Sequence, residues 1–140
     1  MVTALDTNVL VALWDEGEPF NDRVRQMLRN ALQAGGLVVS AAAYAELISA
    51  PHRSEAFVDS FCADTGIVVD WDLREPVWRA AGRAFQQYSR RRKVQGHGAP
   101  RRILADFLIG AHALHGGFRL LTLDDRIYSA AFPRLTIITI

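Results

Sequence analysis

The chain has 140 residues, half of them apolar and 22% charged, with 16 basic side chains against 15 acidic ones. That balance belongs to one folded domain with a single core, and it excludes a disordered chain or a string of domains. A lone cysteine, Cys62, excludes an internal disulfide, and no apolar run approaches the roughly 18 residues of a membrane span. A domain of this size buries roughly 68–70% of its unfolded surface, so any bound metal is expected to serve function rather than to hold the fold.

Taken in chain order, Val2 to Leu5 is a short apolar run cut by Asp6, too brief and too acidic for a signal peptide or an anchor. The expected location is therefore the cytoplasm. Asn8 to Trp14 is apolar at helical spacing, so the chain opens as strand, turn and helix with Asp6 at the hinge. From Phe20 to Ala34 the positions Val24, Met27, Leu28, Ala31 and Leu32 recur every three or four residues, an amphipathic helix closed by Gly35 and Gly36. Leu37 to Val39 reads as a second strand, and Ser40 as the N-cap of a helix that runs through Glu46 to Ala50, ahead of Pro51. A helix from about Ser54 to Ala63 precedes a third strand, Ile67 to Val69. Pro76 opens a long helix carrying Val77, Trp78, Ala81, Ala84, Phe85 and Tyr88. Gly96, Gly98 and Pro100 mark its end. Ile103 to Leu114 is an unusually apolar helix, Gly116 and Gly117 break it, and Phe118 to Leu121 with Thr136 to Ile140 supply strands four and five. Short Val, Ile and Leu strands alternating with helices predict a single α/β domain over residues 1–140 with a mostly parallel sheet.

The net charge of +1 conceals an asymmetry. Ser89 to Arg102 holds Arg90, Arg91, Arg92, Lys93, Arg101 and Arg102 without an acid, leaving ten basic residues against 15 acids elsewhere. The expectation is a basic loop on a mildly acidic body, open to two readings: a nucleic-acid contact or a solvated loop.

Four acids fall at related places. In an open parallel sheet, ligands bind beyond the carboxyl ends of the strands. Asp6 follows strand one, Glu46 lies two turns into the helix after strand two, and Asp124 follows strand four. Asp106 shares a helix face with the apolar Ile109, Gly110 and Ala113, where a carboxylate needs a partner. Singly, each has a plain structural role: Asp6 or Asp106 as a cap, Glu46 as a solvated helix residue, Asp124 with Asp125 as a turn. Together they are costly, because two carboxylates about 4 Å apart repel by roughly 4 kcal/mol at an effective dielectric near 20. A divalent cation removes the conflict. Carboxylates without a Cys or His set suit Mg²⁺ or Mn²⁺, ions that work on phosphates, so phosphodiester hydrolysis is the matching reaction class. Asn8 and Thr122 stand beside the acids and are candidates to fix their rotamers by hydrogen bonds.

The stretches Leu5-Asp6-Thr7-Asn8-Val9-Leu10, Tyr44-Ala45-Glu46-Leu47, Ala105-Asp106-Phe107-Leu108-Ile109-Gly110-Ala111 and Leu121-Thr122-Leu123-Asp124 resemble the motifs of PIN-domain ribonucleases. In order and spacing they are similar to those of VapC-type toxins of bacterial toxin–antitoxin pairs, over nearly the whole chain. The resemblance implies a PIN-like three-layer α/β sandwich whose five-stranded parallel sheet has the order 3-2-1-4-5. It implies a toxic Mg²⁺- or Mn²⁺-dependent endoribonuclease, neutralised by a cognate antitoxin and frequently a homodimer. Asp6, Glu46, Asp106 and Asp124 fall on the family's acidic positions, with Asp6, Asp106 and Asp124 as metal ligands and Asn8 and Thr122 as polar supports. The basic insert is longer than in compact members, so its role does not carry over.

The same residues admit rival readings. A PIN-like module without catalysis would bind RNA or protein through the same surface. A receiver-like Mg²⁺ signalling domain would place Asp70 as phosphoacceptor, but Thr7 follows Asp6 where it wants a second acid, and the only lysine is Lys93. An Asp-x-Asp phosphatase fails at Asn8. His112 and His115, three apart, lack a third ligand at zinc spacing, and Trp14, Trp71 and Trp78 sit among apolar residues as packing groups.

Overall fold

A computed structural model describes residues 1–96 and 104–140. Its elements are β1 (Thr3–Leu5), α1 (Thr7–Trp14), α2 (Asn21–Ala34), β2 (Leu37–Ser40), α3 (Ala41–Ser49), α4 (Glu55–Thr65), β3 (Ile67–Asp70), α5 (Glu75–Val94), α6 (Leu104–Gly116), β4 (Arg119–Thr122), α7 (Arg126–Ala131) and β5 (Ile137–Thr139). All strand pairs are parallel and the sheet order is β3-β2-β1-β4-β5. That order is the one implied by the resemblance. It also disposes of the receiver reading, since that doubly wound fold has the order 2-1-3-4-5.

β1 is central because it is buried on both faces, and Thr3, Ala4 and Leu5 are all inaccessible. Its register sets Ala4 beside Val38 of β2 and Leu120 of β4, so one layer of small and branched side chains crosses the sheet. The core continues through Val9 and Leu10 of α1, Leu47 of α3, and Phe107 and Ile109 of α6. At roughly 1.5–3 kcal/mol per fully buried large apolar side chain, such residues dominate the stability of the fold.

Element ends follow their sequence signals closely. Ser40 and Ser54 cap α3 and α4, each hydroxyl accepting from the amide three residues on, Ala43 N at 3.1 Å and Phe57 N at 3.0 Å. α6 runs two residues past Leu114, through Gly116, and breaks at the second glycine of the pair, Gly117, where a φ of 70° suits a residue without Cβ.

Two differences matter for the site. First, Arg90 to Lys93 are not a loop: α5 continues to Val94, with Arg91, Arg92 and Lys93 in its last turn. Charge density had pointed to a loop, but Arg and Lys are good helix formers and favourable beside the negative end of the helix dipole. Arg101 and Arg102 lie outside the described residues. Second, the short helix α7 was not anticipated, although Ile127, Tyr128, Ala131 and Phe132 have helical spacing.

Candidate active site

The strands run in one direction, so the ends of β1 and β4 open on a common edge, and Asp6 sits there. Its backbone amide donates to Leu121 O at 3.0 Å, tying the residue to β4. Asp6 precedes α1 but its side chain does not cap that helix. Instead Oδ2 accepts from the Thr122 hydroxyl at 2.8 Å and from the Tyr128 phenol at 2.9 Å. Asp6 is only 5% exposed, and a buried carboxylate without such donors would be strongly disfavoured. The capping role for Asp6 is thereby set aside.

Thr7, the first residue of α1, stands between two acids. Its hydroxyl oxygen lies 3.3 Å from Asp6 Oδ1 and 3.2 Å from Glu46 Oε1. Glu46 reaches inward from α3 and is partly buried rather than solvated. Burial, and then the negative charges of Asp106 and Asp6, raise its proton affinity, while the Thr7 hydroxyl acts in the opposite direction. The Tyr128 phenol is held far above its ordinary value by burial, then by Asp6 and Asp106, and also by Glu46. These mutual effects bring Asp6, Glu46, Asp106 and Tyr128 into one neighbourhood. Asp106 stands inside the first described turn of α6, not at a cap position.

Asp124 is placed differently. Arg126 grips its carboxylate with two charge-assisted bonds, Nε to Oδ1 at 2.9 Å and a terminal guanidinium nitrogen to Oδ2 at 2.8 Å. The Arg126 amide also donates to Oδ1 at 3.2 Å, so Asp124 does form the turn that its sequence context allowed. It joins the site through its backbone amide, which donates to Thr122 Oγ1 at 3.2 Å. Asn8 supports from one step further out. Its amide nitrogen lies 3.4 Å from Thr122 Oγ1 and its Oδ1 accepts from Leu123 N at 3.3 Å. Thr122, fully buried, is thus the hub that Asn8, Asp6 and Asp124 share.

Sequence reasoning missed Thr7 and Tyr128. A threonine opening a helix next to the acid was the available signal for the first, and the helical spacing of Ile127, Tyr128, Ala131 and Phe132 for the second. His112 and His115 take no part in the site. His112 is buried and pairs through Nε2 with Asp70 Oδ2 at 2.9 Å, which also engages the supposed phosphoacceptor, and His115 is exposed.

Among the described residues, no three His, Cys, Asp or Glu side chains already converge as a closed metal set. The chemistry of the donors nevertheless fits a hard divalent cation: oxygen ligands only, with like charges acting on one another at Asp6, Glu46 and Asp106. Thr122 and Tyr128 hold one oxygen of Asp6 and leave the other on the side of Glu46.

A family model described as PIN domain matches residues 3–133. No curated protein matches the chain. Among solved structures, the chain resembles one in VapBC2 from Rickettsia felis bound to a DNA fragment from their promoter, at 19% identity and a TM-score of 0.69, covering 99% of this chain and 98% of that one. VapBC-1 from nontypeable Haemophilus influenzae gives 23% identity and a TM-score of 0.62, covering 99% and 98%. VapC20 from Mycobacterium tuberculosis, a sarcin-ricin loop cleaving toxin, gives 14% and 0.62, covering 91% and 94%. At these identities the likenesses establish fold, and together with the family match across almost the whole sequence they place this chain in the PIN-domain family.

Proposed function

We propose that this protein is a VapC-type toxin, a metal-dependent endoribonuclease that hydrolyses RNA phosphodiester bonds and is neutralised by a cognate antitoxin. The observation that carries the reading is the buried carboxylate of Asp6 at the end of the central strand, bridged to Glu46 by Thr7, with Asp106 near enough for its charge to act on Glu46 and Tyr128. Acids so arranged in a PIN fold repel one another, and their chemistry matches a divalent cation and an anionic phosphate ester.

Asp6 and Asp106 would hold Mg²⁺ or Mn²⁺, together with Asp124 once Arg126 releases its carboxylate. Such an ion supplies charge neutralisation at the phosphoryl centre and activation of a water. Glu46, with its raised proton affinity, would accept the proton of the attacking water as the water oxygen bonds to phosphorus, and the leaving ribose oxygen would depart with the bonding electron pair and take up a proton from solvent. Thr122 and Asn8 keep the first acid in position. Arg90, Arg91, Arg92 and Lys93 at the end of α5, with Arg101 and Arg102, offer phosphate contacts to the RNA.

The likeness to chains of VapBC complexes supports an antitoxin partner, and homodimerisation and a cytoplasmic location belong to the same reading. No helix among the described residues is long and apolar enough to cross a membrane.

The test is cleavage of total cellular RNA by antitoxin-free protein with Mn²⁺ or Mg²⁺, beside EDTA and Asp106→Asn controls. Discrete fragments made only by the wild type with metal are expected. A binding-only module draws support from the Arg126 grip on Asp124. Intact RNA in every lane, with RNA or antitoxin still bound, would move that reading ahead.

A further inference from the structure

We infer that Tyr128 is a positioning residue for Asp6: its phenol, with the Thr122 hydroxyl, pins Oδ2 and so presents Oδ1 to the acidic cluster. The inference rests on the nuclease reading of that cluster. A carboxylate pivots about its last torsion unless donors on one oxygen differ from those on the other. Here Oδ2 accepts two short hydroxyl bonds, 2.8 Å from Thr122 and 2.9 Å from Tyr128, supplied by β4 and α7. Oδ1 has the longer 3.3 Å contact with Thr7, whose single hydroxyl proton is shared with Glu46. The asymmetry settles which oxygen faces the cluster.

A second, independent observation concerns how Tyr128 reaches that position. Gly110 of α6 faces α7, and a Cβ there would lie 2.4 Å from Phe132 Cε2 and 3.1 Å from Tyr128 Cδ1. The missing side chain lets α7 settle against α6, and Tyr128, only 2% exposed, then points its hydroxyl at a residue 122 positions earlier. Packing alone would be served by phenylalanine. A fully buried hydroxyl aimed at a candidate ligand has a polar task.

The test uses Tyr128→Phe in the full chain, which removes the hydroxyl and keeps the ring. In the metal-free protein, urea unfolding is compared for Tyr128→Phe in the wild-type and Asp6→Ala backgrounds. Loss of midpoint in the first and none in the second is expected, because the phenol has no acceptor once Asp6 is gone. Equal losses would overturn the contact. With Mn²⁺ alone, calorimetric titration is expected to show binding weakened about tenfold, the low end for lost groups that orient a metal ligand. With RNA, kcat falls while KM stays within about twofold.

Unchanged Mn²⁺ affinity and kcat, with only stability reduced, would show a purely structural hydroxyl and overturn the positioning role. If the wild type itself neither binds Mn²⁺ nor cleaves RNA, the nuclease reading fails, while the unfolding comparison still decides the Tyr128–Asp6 contact.

Discussion

Thr122 shows how much one hydroxyl can organise. It donates to Asp6, and its oxygen faces the Asp124 amide and the Asn8 amide nitrogen. Thr122→Val keeps the shape and removes these bonds, leaving a buried carboxylate with one donor fewer. A loss of about 1.5–3 kcal/mol is expected by urea denaturation, the range for hydrogen bonds to charged groups. Glu46 behaves oppositely, because the fold raises its proton affinity above the ordinary carboxylate value of 4.5. The folded state therefore prefers the protonated form. Its ionisation costs stability that accumulates as pH rises from 4.5 through the raised value, and is constant above it. Metal-free Glu46→Gln is accordingly expected to be more stable than wild type at pH 7, with the difference vanishing below pH 4.5 in thermal melts across pH. A variant less stable at pH 7 would show that the fold needs this carboxylate ionised. Asp6 and Asp124 were legible as candidates because acids directly after strands are conspicuous, and Glu46 and Asp106 because each is an acid on a helix packed beside those strand ends. The Arg126 grip and the Tyr128 bond were not, because neither a rotamer nor a contact 122 residues long is written in local spacing.

Between elements, the decisive contact is α6 against α7. Gly110 sits mid-helix, where alanine would gain about 1 kcal/mol of propensity. Gly110→Ala is nonetheless expected to lower the melting temperature, since its Cβ would meet the Phe132 ring at 2.4 Å and overpacking costs about 1–3 kcal/mol. It should also weaken Mn²⁺ binding by displacing Tyr128. A melting temperature equal to or above wild type would mean that α7 yields freely. A second tie joins α6 to β3. His112 pairs with Asp70, holding the Asp70 carboxyl below its ordinary value. Tyr44 ties α3 to α4 through a 2.7 Å bond to Asp59, the main reason its phenol is pushed up to about 12. Helices α1 to α6 were readable from periodicity and caps. α7 is hard to read because six residues give too few turns for a period to stand out, and the α5 terminus because a run of Arg and Lys signals a solvated loop as readily as a helix end.

For the whole molecule, the parallel sheet gathers acids at one edge while four of the six clustered basic residues, Arg90 to Lys93, lie at the C-terminal end of α5. Arg90 and Lys93 are both exposed, and their removal tests whether the basic end of α5 meets RNA. Each phosphate contact to a single strand contributes about 0.7 to the slope of log affinity against log salt. Arg90→Ala with Lys93→Ala should therefore flatten that slope by about 1.4 in fluorescence titrations with catalytically disabled Asp106→Asn protein. An unchanged slope would return this segment to a solvated role.

The amino-acid sequence by itself determined the class of the fold, the order of most elements and the four acids, because hydrophobic period, caps and residue type are local properties. The strand order followed only from family resemblance, since periodicity does not say which strands pair. Tertiary structure alone decided that Asp124 is gripped by Arg126, that Thr7 stands between Asp6 and Glu46, and that Tyr128 reaches Asp6. The Arg126 grip joins side chains two residues apart at the surface and is a matter of rotamer, whereas the Thr7 and Tyr128 contacts depend on how closely two helices approach and which way a buried side chain turns. Both are set by packing across the whole domain rather than by neighbours along the chain.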